Sequence, residues 1–244
     1  MDLALAFGGL TYLFKDKSWV GKLLLGAVIA LIPIIGWLAI IGWGIEMLRR
    51  RANGEEGLPD WGQFGKKIGD GFLMFIILLI YAIPMILGFI PCIGYVIVVL
   101  YTLFLVILMY PWIFIQYAMG GFSAAFQWKE FGSYLKENVV ELLKAFLVTF
   151  VAGIIVGVIN MIIWSIFGVE LAGVMAPFAS RYSYMGGMGY PPAGGSLLGG
   201  VGFFGLVVIF FVYGFLMMYQ QSVTGFVYGL LYKSTFLEPE EENE

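Results

Sequence analysis

The sequence predicts an all-α integral membrane protein: a helical bundle of four spans, with an N-terminal interfacial helix and a re-entrant or kinked first segment. Three observations predict it. Hydrophobic residues make up 61% of the 244 and charged residues only 12%, far outside the range of soluble domains. Mean hydropathy is +0.95. Several uncharged runs exceed the roughly eighteen residues that mark a spanning helix. The length suits one transmembrane domain, residues 1–237, followed by an acidic tail at 238–244 whose composition is that of a disordered segment.

Residues 3–14 place Leu3, Phe7, Leu10 and Phe14 at helical spacing. Such a helix rises about 18 Å, too short for a hydrocarbon core of about 30 Å, so it is expected to lie in the interface. Residues 23–45 carry no charge, but Pro33 and Gly36 interrupt them and Gly42 and Gly44 follow. Proline removes a helical hydrogen bond and clashes with the preceding turn. The segment is therefore either a kinked span or a hairpin with its tip near Pro33 and Gly36.

Residues 71–128 are also free of charge, enough for two spans at about 71–90 and 95–119, with Pro91-Cys92-Ile93-Gly94 as the turn. An amphipathic stretch from Trp128 leads to a third span at about 145–168. A loop rich in Gly, Pro, Met, Tyr and Ser is expected from 169 to about 200, and a last span at about 201–232. The Tyr and Met residues of that loop suit an adaptable contact surface, although a disordered linker has the same composition.

Charge bears on the first segment. Lys15, Lys17 and Lys22 precede it, and Arg49, Arg50, Arg51, Lys66 and Lys67 follow. A true span would split these between two faces, whereas a hairpin keeps them together, in line with the positive-inside tendency. The hairpin is favoured, with both termini cytoplasmic and only Arg181 of the Lys and Arg residues outside. Trp19, Trp61 and Trp128 then fall at headgroup level. Trp61-x-x-Phe64-Gly65 recurs as Trp128-x-x-Phe131-Gly132, which a duplicated unit would explain, as would chance in so aromatic a chain.

Composition excludes several chemistries. There is no histidine, and Cys92 is the single cysteine, so disulfides, Cys/His metal sites and His bases are absent. Cys92 reads as a small apolar residue in a turn. No cofactor or metal is expected. The three acids of Gly54-Glu55-Glu56-Gly57-Leu58-Pro59-Asp60 could face a cation, but they lack the ligand alternation of a calcium loop. No basic stripe points to nucleic acid. The amino-terminal lysines follow the apolar residues, unlike those of a signal peptide, so the start reads as mature protein.

Candidate contacts remain. Arg49, Arg50, Arg51, Lys66 and Lys67 could meet lipid headgroups, against topology-setting and pairing with local acids; Glu46 has helical ion-pair spacing to Arg49 and Arg50. Pro33, Gly36, Gln116 and Asn160 are the candidate intramembrane polar site, with Asn160 read most simply as an interhelical hydrogen-bond partner. Gly153, Gly157, Gly225 and Gly229 are candidate helix-packing positions, expected to join the last two spans.

The hook between the first two segments resembles a prokaryotic family of small polytopic membrane proteins catalogued as domain of unknown function 4013. Trp19, Ile32-Pro33-Ile34, the stretch 42–50, Gly54-Glu55, Leu58-Pro59-Asp60-Trp61, Phe64 and Asp70-Gly71 carry the resemblance, over residues 12–90. It implies a prokaryotic cell membrane and supplies no activity. From the residues themselves, the expectation is a non-catalytic accessory subunit of a membrane assembly, its partners being lipids and other membrane subunits. The alternative is a small transporter, channel or lipid-handling protein with its site at the broken first segment.

Overall fold

A computed structural model describes the backbone of residues 1–90, 93–183 and 195–237, and the side chains of these except 166–183 and 195–204. The elements in chain order are α1 (Leu3–Phe7), α2 (Gly9–Tyr12), α3 (Trp19–Ala30), α4 (Ile35–Ala52), α5 (Phe64–Ala82), α6 (Ile93–Phe104), α7 (Tyr110–Gly120), α8 (Trp128–Ser183) and α9 (Gly195–Tyr232). No strand occurs among the described residues. Four stretches are long and apolar enough to cross a bilayer: Phe64–Phe89, Ile93–Gly120, Trp128–Ser165 and Gly205–Leu237.

The first segment is two helices and not one bent span. The break falls at residues 31–34, where the N–H groups of Leu31, Ile32, Ile35 and Gly36 donate within the turn and Pro33 has no N–H to satisfy. Ile34 adopts φ 66°, ψ −64° while Ile35 N–H bonds Pro33 O at 2.7 Å, a γ-turn of the rare, strained hand. Gly36 packs directly on the backbone of Ile29, which lets α3 and α4 meet at the tip.

Helix α4 is the axis of the bundle, with Ala39, Ile40, Trp43, Ile45 and Leu48 fully buried. Lipid tails are as apolar as leucine, so close backbone approach has to hold such helices together. A Cβ on Gly42 would overlap the carbonyl of Lys67, and one on Gly71 would overlap that of Leu38. Gly225 and Gly229 of α9 lie in the same way against Gly44, Met47, Leu48 and Arg51 of α4. The tip of the hairpin is level with Gly214, which faces Ala27 and Ala30. Helix α9 runs on beyond that level to at least Gly205, about 13 Å further at helical rise.

Several expectations change. Helix α5 starts at Phe64 and not at residue 71, so Lys66, Lys67 and Asp70 belong to it. The span expected at 71–90 ends as a 3-10 stretch, Ile83–Phe89, around Pro84. Helices α6 and α7 are joined by a π-helical turn, Leu105–Met109, just before Pro111, whose missing N–H leaves the helical ladder one bond short. The amphipathic stretch at Trp128 and the third span form one helix, kinked at Asn138. That helix continues to Ser183, so residues 169–183 are helical where a loop was expected; the rest of that loop up to residue 194, the turn residues Pro91 and Cys92, and the tail lie outside the described residues.

Glycine packing is also redistributed. Gly225 and Gly229 serve α4, and Gly153 and Gly157 have open space where a Cβ would sit, so the two glycine pairs do not face each other. Helices α8 and α9 meet instead through side chains such as Gln220, whose Nε2 donates to Thr149 O at 3.1 Å.

Candidate functional site: a polar collar at one end of the bundle

Charged residues around α4 converge on one end, because α4 ends there, α5 begins there, and α7 and α9 return to it. Three arginines occupy the last turn of α4, where the helix dipole favours cations. The helix then stops in a Schellman cap: Gly54, at φ 80°, donates to Arg51 O, and Glu55 N–H donates to Arg50 O at 2.9 Å. This cap turns the chain back so that residues 53–63 run along α3 and α4.

Leu58-Pro59-Asp60-Trp61 is tied down at every residue. Leu58 N–H donates to Asp16 Oδ2 at 2.9 Å and Leu58 O accepts from Lys22 Nζ at 2.7 Å. Pro59 O accepts from Trp43 Nε1 at 3.2 Å. Asp60 pairs with Lys22 at 2.9 Å. Trp61 donates from Nε1 to Lys22 O at 2.8 Å and stacks 6.4 Å from Trp43. The start of α3 and the loop after α4 therefore share one level, closing the hairpin at its base.

Burial by itself would raise the Asp16 carboxyl, but the hydroxyl and N–H of Ser18, the N–H of Leu58 and the Lys22 ammonium together hold it well below the usual carboxylate range. Burial acts to lower Lys22; Asp60 and Asp16 outweigh it and raise the ammonium above its ordinary value.

A second cluster joins α4, α5 and α7. Lys67, only 2% exposed, pairs with Glu46 at 2.5 Å and donates to Gly62 O at 2.8 Å. Arg49 pairs with Asp70 and donates from Nε to Ala118 O at 2.8 Å. Tyr117 donates to Asp70 Oδ1 at 3.2 Å. Glu46 thus bonds across to α5, and not along its own helix to Arg49 or Arg50 as its spacing suggests. Arg50 pairs with Glu55 at 3.2 Å. The acids of the 54–60 turn go to different partners, Glu55 to Arg50 and Asp60 to Lys22.

Of the headgroup candidates, Lys66 is exposed, Lys67 is enclosed, and Arg49 and Arg50 are in ion pairs. Arg51 lies over the rings of Phe226 and Tyr12. The polar candidates do not assemble: Pro33 and Gly36 are at the hairpin tip, Gln116 is beside Tyr117 at the collar, and Asn160 is on α8. Among the described residues no hydrogen bond joins them. The two copies of the Trp-x-x-Phe-Gly pattern also differ, since Trp61 precedes α5 and docks on Lys22, whereas Trp128 is the first residue of α8 and is 53% exposed. Asp16, Tyr117 and Phe226 were not singled out by sequence, and Lys22 counted there only for its charge. The nearest signal was the Leu-Pro-Asp-Trp run, whose six attachments to distant residues no local pattern encodes.

No curated protein and no solved structure matches the chain. The family described as "Protein of unknown function (DUF4013)" matches residues 25–165, taking in α4, the cluster that joins α4, α5 and α7, the Leu58-Pro59-Asp60-Trp61 run and α8 as far as residue 165; it extends well past residue 90, while Asp16, Trp19 and Lys22 fall outside it. This multi-pass membrane chain belongs to that family.

Proposed function

We propose that the chain is a non-catalytic subunit, accessory to a larger assembly in a prokaryotic cell membrane, with the collar and both termini on the cytoplasmic side. The pairing of the collar carries this reading. Lys22, Arg49, Arg50 and Lys67 each hold an acid on another turn or element. Charges committed in this way position helices and are not free to act as acids, bases or nucleophiles. Native purification in mild detergent should return the chain with a stoichiometric membrane-protein partner. Recovery as a lone monomer under every solubilisation tried overturns the reading.

A second reading, a small transporter, channel or lipid-handling protein, is favoured by one observation: the helix breaks at Pro33 and Ile34 partway along the bundle. Irregular backbone at membrane depth is tolerated where protein or a cavity surrounds it. Solute flux into proteoliposomes that Pro33→Ala abolishes would favour this second reading over the first.

A further inference from the structure

Among the arginines of the collar, Arg51 stands apart. Arg49 and Arg50 are held by Asp70 and Glu55, whereas among the described residues Arg51 forms no ion pair; its Nε, like that of Arg50, is buried without a hydrogen-bond acceptor. Its guanidinium carbon lies 4.6 Å from the ring centre of Phe226 and 5.7 Å from that of Tyr12. Stacking of this kind covers the faces of a guanidinium and leaves its N–H edge for acceptors in the plane.

That side chain opens on a cleft of about 190 Å³ between the N-terminal helices and α9, with Lys15, Tyr12, Leu5, Gly8 and Phe226 around it. Gly57 closes one side, its N–H donating to the Tyr12 hydroxyl at 2.8 Å. Two acids, Asp16 and Glu56, also line the cleft. Asp16 is already taken by Ser18, Lys22 and Leu58, which leaves Glu56 facing two cations. The lining as a whole is neutral, two bases against two acids, with the Asp16 carboxyl already bonded to its own donors.

We propose that this cleft binds a phosphate-bearing group, the phosphate held by Arg51 and Lys15 and the organic part lying along Leu5 and Phe226. The planar fork of arginine matches phosphate oxygens two at a time. The volume is below the roughly 300–1,000 Å³ of drug-sized sites, so it accommodates a headgroup and not a whole lipid. The helices beside it, α1 and α2, are apolar and too short to span a bilayer, the kind of segment that lies at the level of phospholipid headgroups; a soluble phosphate ester would present the same chemistry from the aqueous side. The inference goes beyond the subunit reading and does not depend on it.

The test uses the full chain in mild detergent. Native mass spectrometry would compare retention of phosphatidylethanolamine, phosphatidylglycerol and diacylglycerol, and inorganic phosphate would be added as a competitor. Both phospholipids should be retained in preference to diacylglycerol. Arg51→Gln should weaken that retention by about tenfold or more, the order expected when a charge-assisted hydrogen bond is lost. Lys15→Gln should weaken it less, and Lys17→Gln, outside the cleft, not at all. Phosphate that binds by itself and displaces the lipid, both effects lost in Arg51→Gln, supports the site with a soluble phosphate as its source. Phosphate without effect supports it with a lipid headgroup. Unchanged binding of both probes in Arg51→Gln overturns the proposal and leaves Arg51 a stacking residue. Should Arg51→Gln fail to fold, Lys15→Gln decides: binding equal to that of Lys17→Gln overturns it.

Discussion

The indole of Trp61 donates its N–H to the carbonyl oxygen of Lys22 at 2.8 Å, and the ammonium of the same lysine reaches Asp16, Leu58 O and Asp60. One residue at the start of α3 thus gathers the segment before the hairpin and the loop after it. Because both ends of the hairpin meet here, the break at Pro33 and Ile34 forms its opposite end.

Lys22 should matter far more than the acid that partners it at the surface. Lys22→Met removes the donor from Leu58 O and leaves Asp16, 11% exposed, without its cation, at an expected cost of about 2–3 kcal/mol. Asp60 is 76% exposed, so Asp60→Asn should cost under about 1 kcal/mol. Thermal unfolding in detergent, followed by helical circular dichroism, ranks the two. Equal losses would mean that the base of the hairpin is not held as described.

The same contact has a pH signature. Asp16 is held below its ordinary value, so its contribution is complete above the unfolded pKa of about 3.9 and is lost as pH falls from there toward the folded value. Lys22 is raised, so its share is complete below about 10.4 and is lost as pH rises past that. The melting-temperature gap between wild type and Asp16→Asn should be constant near neutrality and shrink below about pH 4. A gap that widens on acidification contradicts this account.

Glycine substitutions should separate by position. Gly42→Ala and Gly71→Ala force a Cβ into the backbone of the opposing helix; α4 and α5 must move apart, and folded yield should fall sharply. Gly153→Ala and Gly157→Ala meet open space and remove a poor helix former, so they should be neutral or stabilising by up to about 1 kcal/mol each. Comparable losses at both pairs would show that Gly153 and Gly157 are covered in the membrane.

Ile34 holds a positive φ that β-branched residues rarely adopt, while its side chain is 68% exposed. Relief of strain should exceed lost packing, so Ile34→Gly should leave the melting temperature unchanged or raise it, by an amount corresponding to about 1 kcal/mol. A marked loss would mean that the exposed isoleucine is packed against something in the membrane.

What the amino-acid order determined was the lipid-soluble class, the approximate placement of four spans and the break at Pro33. Each of these follows from local quantities: run length, charge, helical spacing and the missing N–H of proline. The helix expected over residues 3–14 divides instead at Gly8 into α1 and α2. Tertiary structure decided the rest. Glu46 has helical spacing to Arg49 and Arg50, yet it bonds to Lys67, because the approach of α5 at Gly42 brings that ammonium closer and out of water. Gly225 and Gly229 look like a seam for α8 and serve α4, since a small-residue face does not specify its partner. Arg51 reads like its two neighbours in sequence. Only the folding of α2 and α9 around it places two aromatic rings against its guanidinium and leaves it without an acid among the described residues.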